Sequence, residues 1–71
     1  MDEKTKEELL IDIGPYIEDI EFFKELLDRC EDLEDLKRRL KELLKKERDI
    51  TRKTDIKIIL SKIESTLSTL A

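Results

Sequence analysis

Apolar residues recur at intervals of three and four along most of this 71-residue chain, which contains a single glycine and a single proline. Intervals of three and four place side chains on one face of an α-helix. The chain is 48% charged, and its 27 apolar residues are not scattered at random but recur with helical spacing. This pattern argues against disorder and predicts an all-α fold.

A few helix-breaking and helix-capping residues divide the chain into four amphipathic segments. Gly14 suits the end of a first helix, and Pro15 suits the first turn of the next, where its missing N–H costs nothing. Thr5 and Glu8 have the spacing of a capping box. We expect one domain, residues 1–71, folded as an antiparallel up-down bundle of three main helices with a short N-terminal helix packed across one end. The predicted helices cover about residues 5–13, 15–30, 32–50 and 55–70.

The boundary between the second and third segments contains neither glycine nor proline. Successive apolar steps of three between Leu27 and Leu36 would force a continuous helix to lose phase. A turn near residue 31 removes this conflict, and Asp32 is a suitable N-cap for the helix that follows. We favour the turn over one long helix, which remains the alternative. Thr54 and Asp55 are expected to cap the fourth helix.

The second helix is apolar over a wider arc than one neighbour covers, and Ile58 lies off the main apolar stripe of the fourth helix. Contiguous apolar surface of this kind usually marks an interface, so we expect self-association, most simply as a symmetric homodimer. The alternative is that the first helix covers the patch through Leu9, Leu10 and Ile13. The candidate partner-binding residues are Tyr16, Phe22, Phe23, Leu26 and Ile58.

Charge is segregated along the chain, with a net charge of −10 over residues 1–35, +6 over residues 36–53 and zero over residues 54–71. The basic segment is a candidate phosphate-binding face. We favour a solvated surface or pairing with the acidic residues 18–21, because the isoelectric point near 4.9 opposes loose nucleic-acid affinity. Nucleic acid is therefore a disfavoured partner. The candidate phosphate-binding residues are Lys37, Arg38, Lys41, Lys45, Arg48 and Arg52.

Two segments with the spacing ExxE, residues 18–21 and 31–34, place paired carboxylates where one helical face could hold Mg²⁺. This arrangement resembles the metal site of all-α nucleotide pyrophosphohydrolases, which implies a magnesium-dependent phosphohydrolase-like fragment as a second alternative. We favour solvated carboxylates, which are frequent in a chain with 19 of them. The absence of histidine and the single cysteine exclude the usual zinc, haem and iron–sulfur ligand sets. We expect no metal, no cofactor and no catalysis, with Cys30 a buried thiol.

The chain contains no valine, asparagine, glutamine, histidine or tryptophan. Dense mixed charge without thermolabile amides is typical of hyperthermophile proteins and predicts a thermophilic source, although an AT-biased genome could also deplete these residues. No apolar run approaches the roughly 20 residues of a membrane span, so we expect no membrane association and a cytoplasmic location. The function that these features favour is a non-catalytic helical interaction module, self-associating or docking on a larger complex.

Overall fold

The computed structural model describes residues 1–70, except for the side chain of Leu70, which the sequence places on the apolar face of the last helix. The predicted all-α fold is confirmed, since the described chain contains helices joined by short turns and no strand. Among the described helices, none is both long enough and apolar enough to span a membrane. The helices are α1 (Glu3–Ile13), α2 (Ile20–Arg29), α3 (Leu33–Lys46) and α4 (Ile50–Leu70), with a 3₁₀ turn at Gly14–Tyr16.

Consecutive helices run in opposite directions. Near the start of α1, the Nζ atom of Lys6 lies 3.1 Å from the Oδ1 atom of Asp28 near the end of α2. α3 and α4 form a hairpin, and α1 also packs along α4. α1 therefore lies beside α2 and α4 as a full member of the bundle. α1 has 11 residues and α2 has 10, so the two helices are of similar length.

The first two helices begin at aspartates that the sequence analysis did not select as caps. Asp2 accepts a hydrogen bond from the backbone N–H of Thr5, so α1 begins at Glu3 and the capping box at Thr5 does not form. α2 does not start at Pro15, because the chain leaves the 3₁₀ turn in an extended conformation at Ile17. The side chain of Asp19 then accepts from the N–H of Phe22 and starts α2 at Ile20.

The turn near residue 31 is confirmed, and Asp32 caps α3 by accepting from the N–H of Asp35 at 2.8 Å. The third helix ends at Lys46 rather than at residue 50. α4 begins at Ile50 instead of residue 55, because Asp49 accepts from the N–H groups of Thr51 and Arg52 and satisfies the first turn. The predicted starts of α1, α2 and α4 were wrong because aspartates at positions 2, 19 and 49 provide the caps.

The core lies along the axis of the bundle, and every helix contributes to it. Leu40 is fully buried at its centre, as expected from the apolar seam of α3. Cys30 is buried at the end of α2 and is a free thiol, which confirms its expected structural place. The buried apolar side chains are Leu9, Ile13, Phe23, Leu26, Leu27, Cys30, Leu36, Leu40, Ile56, Ile59 and Ile63.

Candidate functional site

Two of the five predicted partner-binding residues lie inside the bundle. Phe23 has an exposed fraction of 0%, and Leu26 is also buried, so their assignment to a partner surface was wrong. The physical reason is that α2 is covered from two sides. Leu9 and Ile13 of α1 share its core, whereas Leu26 lines a cleft with Leu43 of α3. The first helix thus covers only part of the patch, and the burial of Phe23 and Leu26 removes the wide arc of α2 as a reason for self-association.

The other three predicted partner-binding residues stay accessible to different degrees. Tyr16 has an exposed fraction of 61%, and the Nζ atom of Lys62 lies 4.7 Å from the centre of its ring. Phe22 is half-buried, with the guanidinium of Arg52 at 4.5 Å from its ring centre. Each aromatic ring therefore already faces a cation of α4, a contact that contributes about 0.5–1 kcal/mol at exposed sites. Ile58 is half-buried on α4.

A polar cluster fastens the segment before α2 to the first two turns of α4. Asp55 has an exposed fraction of 1%, and its two carboxylate oxygens accept from the backbone N–H groups of Glu18 and Asp19 at 2.9 and 3.0 Å. The Oδ2 atom of Asp19 accepts in turn from Arg52 at 2.9 Å. The buried carboxylate is thus fully partnered, and its place in the cluster is structural: it orients the first turn of α2.

Sequence reasoning missed the part that Asp55 plays, because it was assigned as a helix cap. A signal was present: Asp55 precedes Ile59 by four residues, and Ile59 belongs to the buried stripe of α4. An aspartate in register with a buried stripe needs partners from another element. The sequence could not show which backbone N–H groups would donate to Asp55, because those of Glu18 and Asp19 are more than 35 residues away in the chain.

The basic segment is only partly neutralised inside the molecule. Arg52 pairs with Asp19 as predicted. The expected pairing with the neighbouring acids is otherwise replaced by contacts within a helix: Glu21 lies 3.7 Å from Lys24, and Arg38 pairs with Asp35. Of the other candidate phosphate-binding residues, Lys37 is half-buried, whereas Lys41, Lys45 and Arg48 are exposed.

The two ExxE segments do not form the helical pairs that the spacing suggested. Glu18 lies before α2 and Glu31 lies before α3, so each segment straddles a helix start. Glu31 and Glu34 line an open cavity of about 400 Å³ together with Asp32 and the N-terminal residues. Over residues 1–70, no group of three or more His, Cys, Asp or Glu side chains is placed to hold a metal ion.

Two groups at the α2–α3 junction, Cys30 and Asp35 in the first turn of α3, have shifted pKa values. Asp35 accepts from the backbone N–H of Glu31 at 3.1 Å, and this bond, aided by Arg39 and Arg38, holds the pKa of its carboxyl below the ordinary value. Burial raises the pKa of the Cys30 thiol. A raised pKa disfavours the thiolate, so Cys30 is poorly suited to act as a nucleophile.

The outward side of α4 differs in chemistry from the rest of the surface. Intervals of four and three place six uncharged residues on one face. Ile50 has an exposed fraction of 80%, Ile58 is half-buried, and the four others are exposed. We call this surface the α4 outer face. It consists of Ile50, Thr54, Ile58, Ser61, Ser65 and Ser68.

The fold and this surface define a small all-α bundle with an uncharged face on its longest helix. The chain belongs to the MJ1579 family, whose family model matches residues 3–68. It is 52% identical over 61 residues to the uncharacterized protein MJ1579 of Methanocaldococcus jannaschii, and the match covers 86% of this chain and 87% of that protein. No solved structure matches the chain.

Proposed function

We propose that the chain is a non-catalytic interaction module that self-associates through the α4 outer face. The observation that carries the proposal is the absence of charge from this face in a chain that is 48% charged. A surface helix usually turns charged side chains toward water. An uncharged helical face that carries exposed isoleucine is instead typical of a surface that another protein covers.

The polar atoms of the face are compatible with burial. The hydroxyl of Thr54 donates to the carbonyl oxygen of Ile50 at 2.9 Å, so its hydrogen-bonding need is met within the helix and its methyl group is available for contact. Serine hydroxyls can bond to the carbonyl one turn earlier in the same way. Covering this face would leave the Thr54 hydroxyl with its partner, and the serine hydroxyls have carbonyl groups of the helix within reach.

The length of α4 provides the contact surface. A helix of 21 residues rises about 31 Å at 1.5 Å per residue. This equals the longest dimension of the molecule, 31 Å. Residues from Ile50 to Ser68 thus present the uncharged face over nearly the whole length of the bundle. A second copy can contact it as one helix lying along another.

Sedimentation equilibrium of the parent chain over a range of concentrations tests this proposal. Ile50→Lys places a charge on the face and should weaken association by roughly tenfold or more, because a symmetric dimer loses the apolar contact twice. Ile11→Lys is the matched control, since Ile11 has a similar exposed fraction of 73% but lies on α1. A monomer at every concentration, or equal effects of the two substitutions, would contradict the proposal.

Phosphate binding by the exposed cations of α3 is a second candidate function, which we consider less favoured than self-association. Lys41 and Lys45 lie one helical turn apart on its outer side. The overall charge of −4 and the pairing of Arg52 and Arg38 with carboxylates leave little positive field to attract a nucleic acid. We therefore expect a gel-shift experiment with duplex DNA at physiological salt to show weak, non-selective binding or none. Sub-micromolar, sequence-selective binding that Lys41→Glu abolishes would favour the second candidate.

A further inference from the structure

We propose that two copies of this chain pair antiparallel through their α4 outer faces, so that Lys57 of each copy lies beside Glu64 of the other. The pairing rests on the proposed self-association and adds its orientation and register. It assigns a binding role to two charged residues that border the face. Both Lys57 and Glu64 are exposed, and neither is among the ion pairs formed within residues 1–70.

Beyond its first residue, the spacing of the face fits a two-helix seam in which Ile58 is apolar and the other positions carry hydroxyl groups. From Thr54 the uncharged positions follow at intervals of four, three, four and three, reaching Ser68. Alternating intervals of three and four define a heptad repeat, in which the seam residues occupy the a and d positions. Ile58 and Ser65 then occupy a positions, and Ser61 occupies a d position. The α4 outer face thus has the periodicity that lets two helices remain in contact over several turns.

The sizes of the seam residues favour one register. When two helices pair antiparallel, an a position of one faces a d position of the other. Setting Ile58 against Ser61 of the second copy places a large side chain over a small one, and the two-fold axis repeats this contact. The same register sets Thr54 against Ser65. Large residues opposite small ones allow the two backbones to approach closely and fill the space between them.

The bordering charges decide between the two orientations. Lys57 and Glu64 each precede an a position and lie on the same edge of the seam, whereas Lys62 follows a d position on the other edge. A parallel pair would bring Lys57 of one copy toward Lys62 of the other, which is a contact between like charges. The antiparallel register instead brings Lys57 toward Glu64 twice in each dimer, and residues at these heptad positions commonly set orientation.

A set of charge reversals tests the pairing by sedimentation equilibrium at low salt, where exposed pairs are least screened. Lys57→Glu and Glu64→Lys should each weaken the homodimer by roughly three- to thirtyfold, because two attractive contacts become repulsive. The double variant should restore the parent affinity. An equimolar mixture of the two single variants should form a heterodimer, since every contact in it is again between opposite charges. Lys41→Glu, the same charge change on α3, is the matched control.

The outcomes separate the orientation from the proposed function. A parent chain that stays monomeric overturns both. A parent dimer that is unaffected by either reversal, while Ile50→Lys still weakens it, retains the proposed function and overturns the Lys57–Glu64 pairing. Tighter association of Lys57→Glu indicates the parallel orientation and also overturns the pairing. Circular dichroism of every variant, matched to the parent spectrum, establishes that the bundle is intact.

Discussion

Removing the carboxylate of Asp55 should destabilise this bundle more than removing any exposed acid. The side chain is buried and accepts two backbone N–H groups at 2.9 and 3.0 Å. A hydrogen bond to a charged group contributes about 1.5–3 kcal/mol. Asp55→Ala loses two of them, but it also relieves the cost of burying a charge, and water can reach the partly buried amides. We therefore expect the free energy of unfolding to fall by about 2–4 kcal/mol, a large part of the about 5–15 kcal/mol typical of a small domain.

Urea unfolding followed by circular dichroism measures this loss, and the melting temperature should fall on the order of 10–25 °C. Asp55→Asn keeps one acceptor oxygen but sets an amide N–H against the second backbone N–H, so it should cost about as much as Asp55→Ala. Asp28→Ala is the matched control, because Asp28 pairs with Lys6 at the surface and such pairs contribute about 0–1 kcal/mol. An Asp55→Ala variant within about 0.5 kcal/mol of the parent would show that the buried carboxylate does not fasten α2 to α4.

Three further predictions follow from the core and from the α2–α3 turn. Leu40→Ala should lower the free energy of unfolding by about 2–5 kcal/mol in the same urea experiment, because a fully buried side chain leaves a cavity. The Cys30 thiol should react with a thiol reagent only as fast as the bundle opens, since burial both shields it and raises its pKa. Asp35 has a pKa lowered below its ordinary value of 3.8, so its contribution to stability is complete above that pH and is lost as pH falls through the lower pKa of the folded state. The acid side of the stability profile should therefore be flatter in Asp35→Asn.

Each of these predictions has a result that opposes it. A Leu40→Ala variant that melts within a degree or two of the parent would mean that the core is not centred on α3. Thiol labelling in native buffer at the rate of a small-molecule thiol would mean that Cys30 is accessible. Parent and Asp35→Asn stability profiles that stay parallel between about pH 6 and pH 2 would mean that the turn does not favour the ionised carboxyl.

The apolar spacing of the sequence was sufficient to predict that the chain forms helices and to identify the buried face of α3. Leu36 and Leu40 lie where the seam of α3 places them. The turn before α3 followed from the same periodicity, because a continuous helix could not keep the apolar residues on one face across it. Asp32 then caps α3 as expected. These features depend on residues near one another in the chain, and local geometry determines them.

Helix starts were predicted less well, because several residues within one or two turns could serve as caps. Asp2 and Asp49 cap α1 and α4 where the sequence analysis selected Thr5 and Thr54. Local propensity does not distinguish between neighbouring cap candidates.

The exposure of the candidate site residues could not be predicted from the sequence, because it depends on contacts between distant segments. The sequence showed that Phe23 and Leu26 are apolar, but only the packing of the other helices around α2 decided that they are buried. It showed that Ile58 lies off the main stripe of α4, but only the position of α1 and α3 around α4 left the outer face uncovered. Asp55 was predicted to be a helix cap, but it is buried and accepts hydrogen bonds from residues more than 35 positions away in the chain. Periodicity within a helix determines which side chains share a face, whereas the contacts between distant segments determine which face meets water.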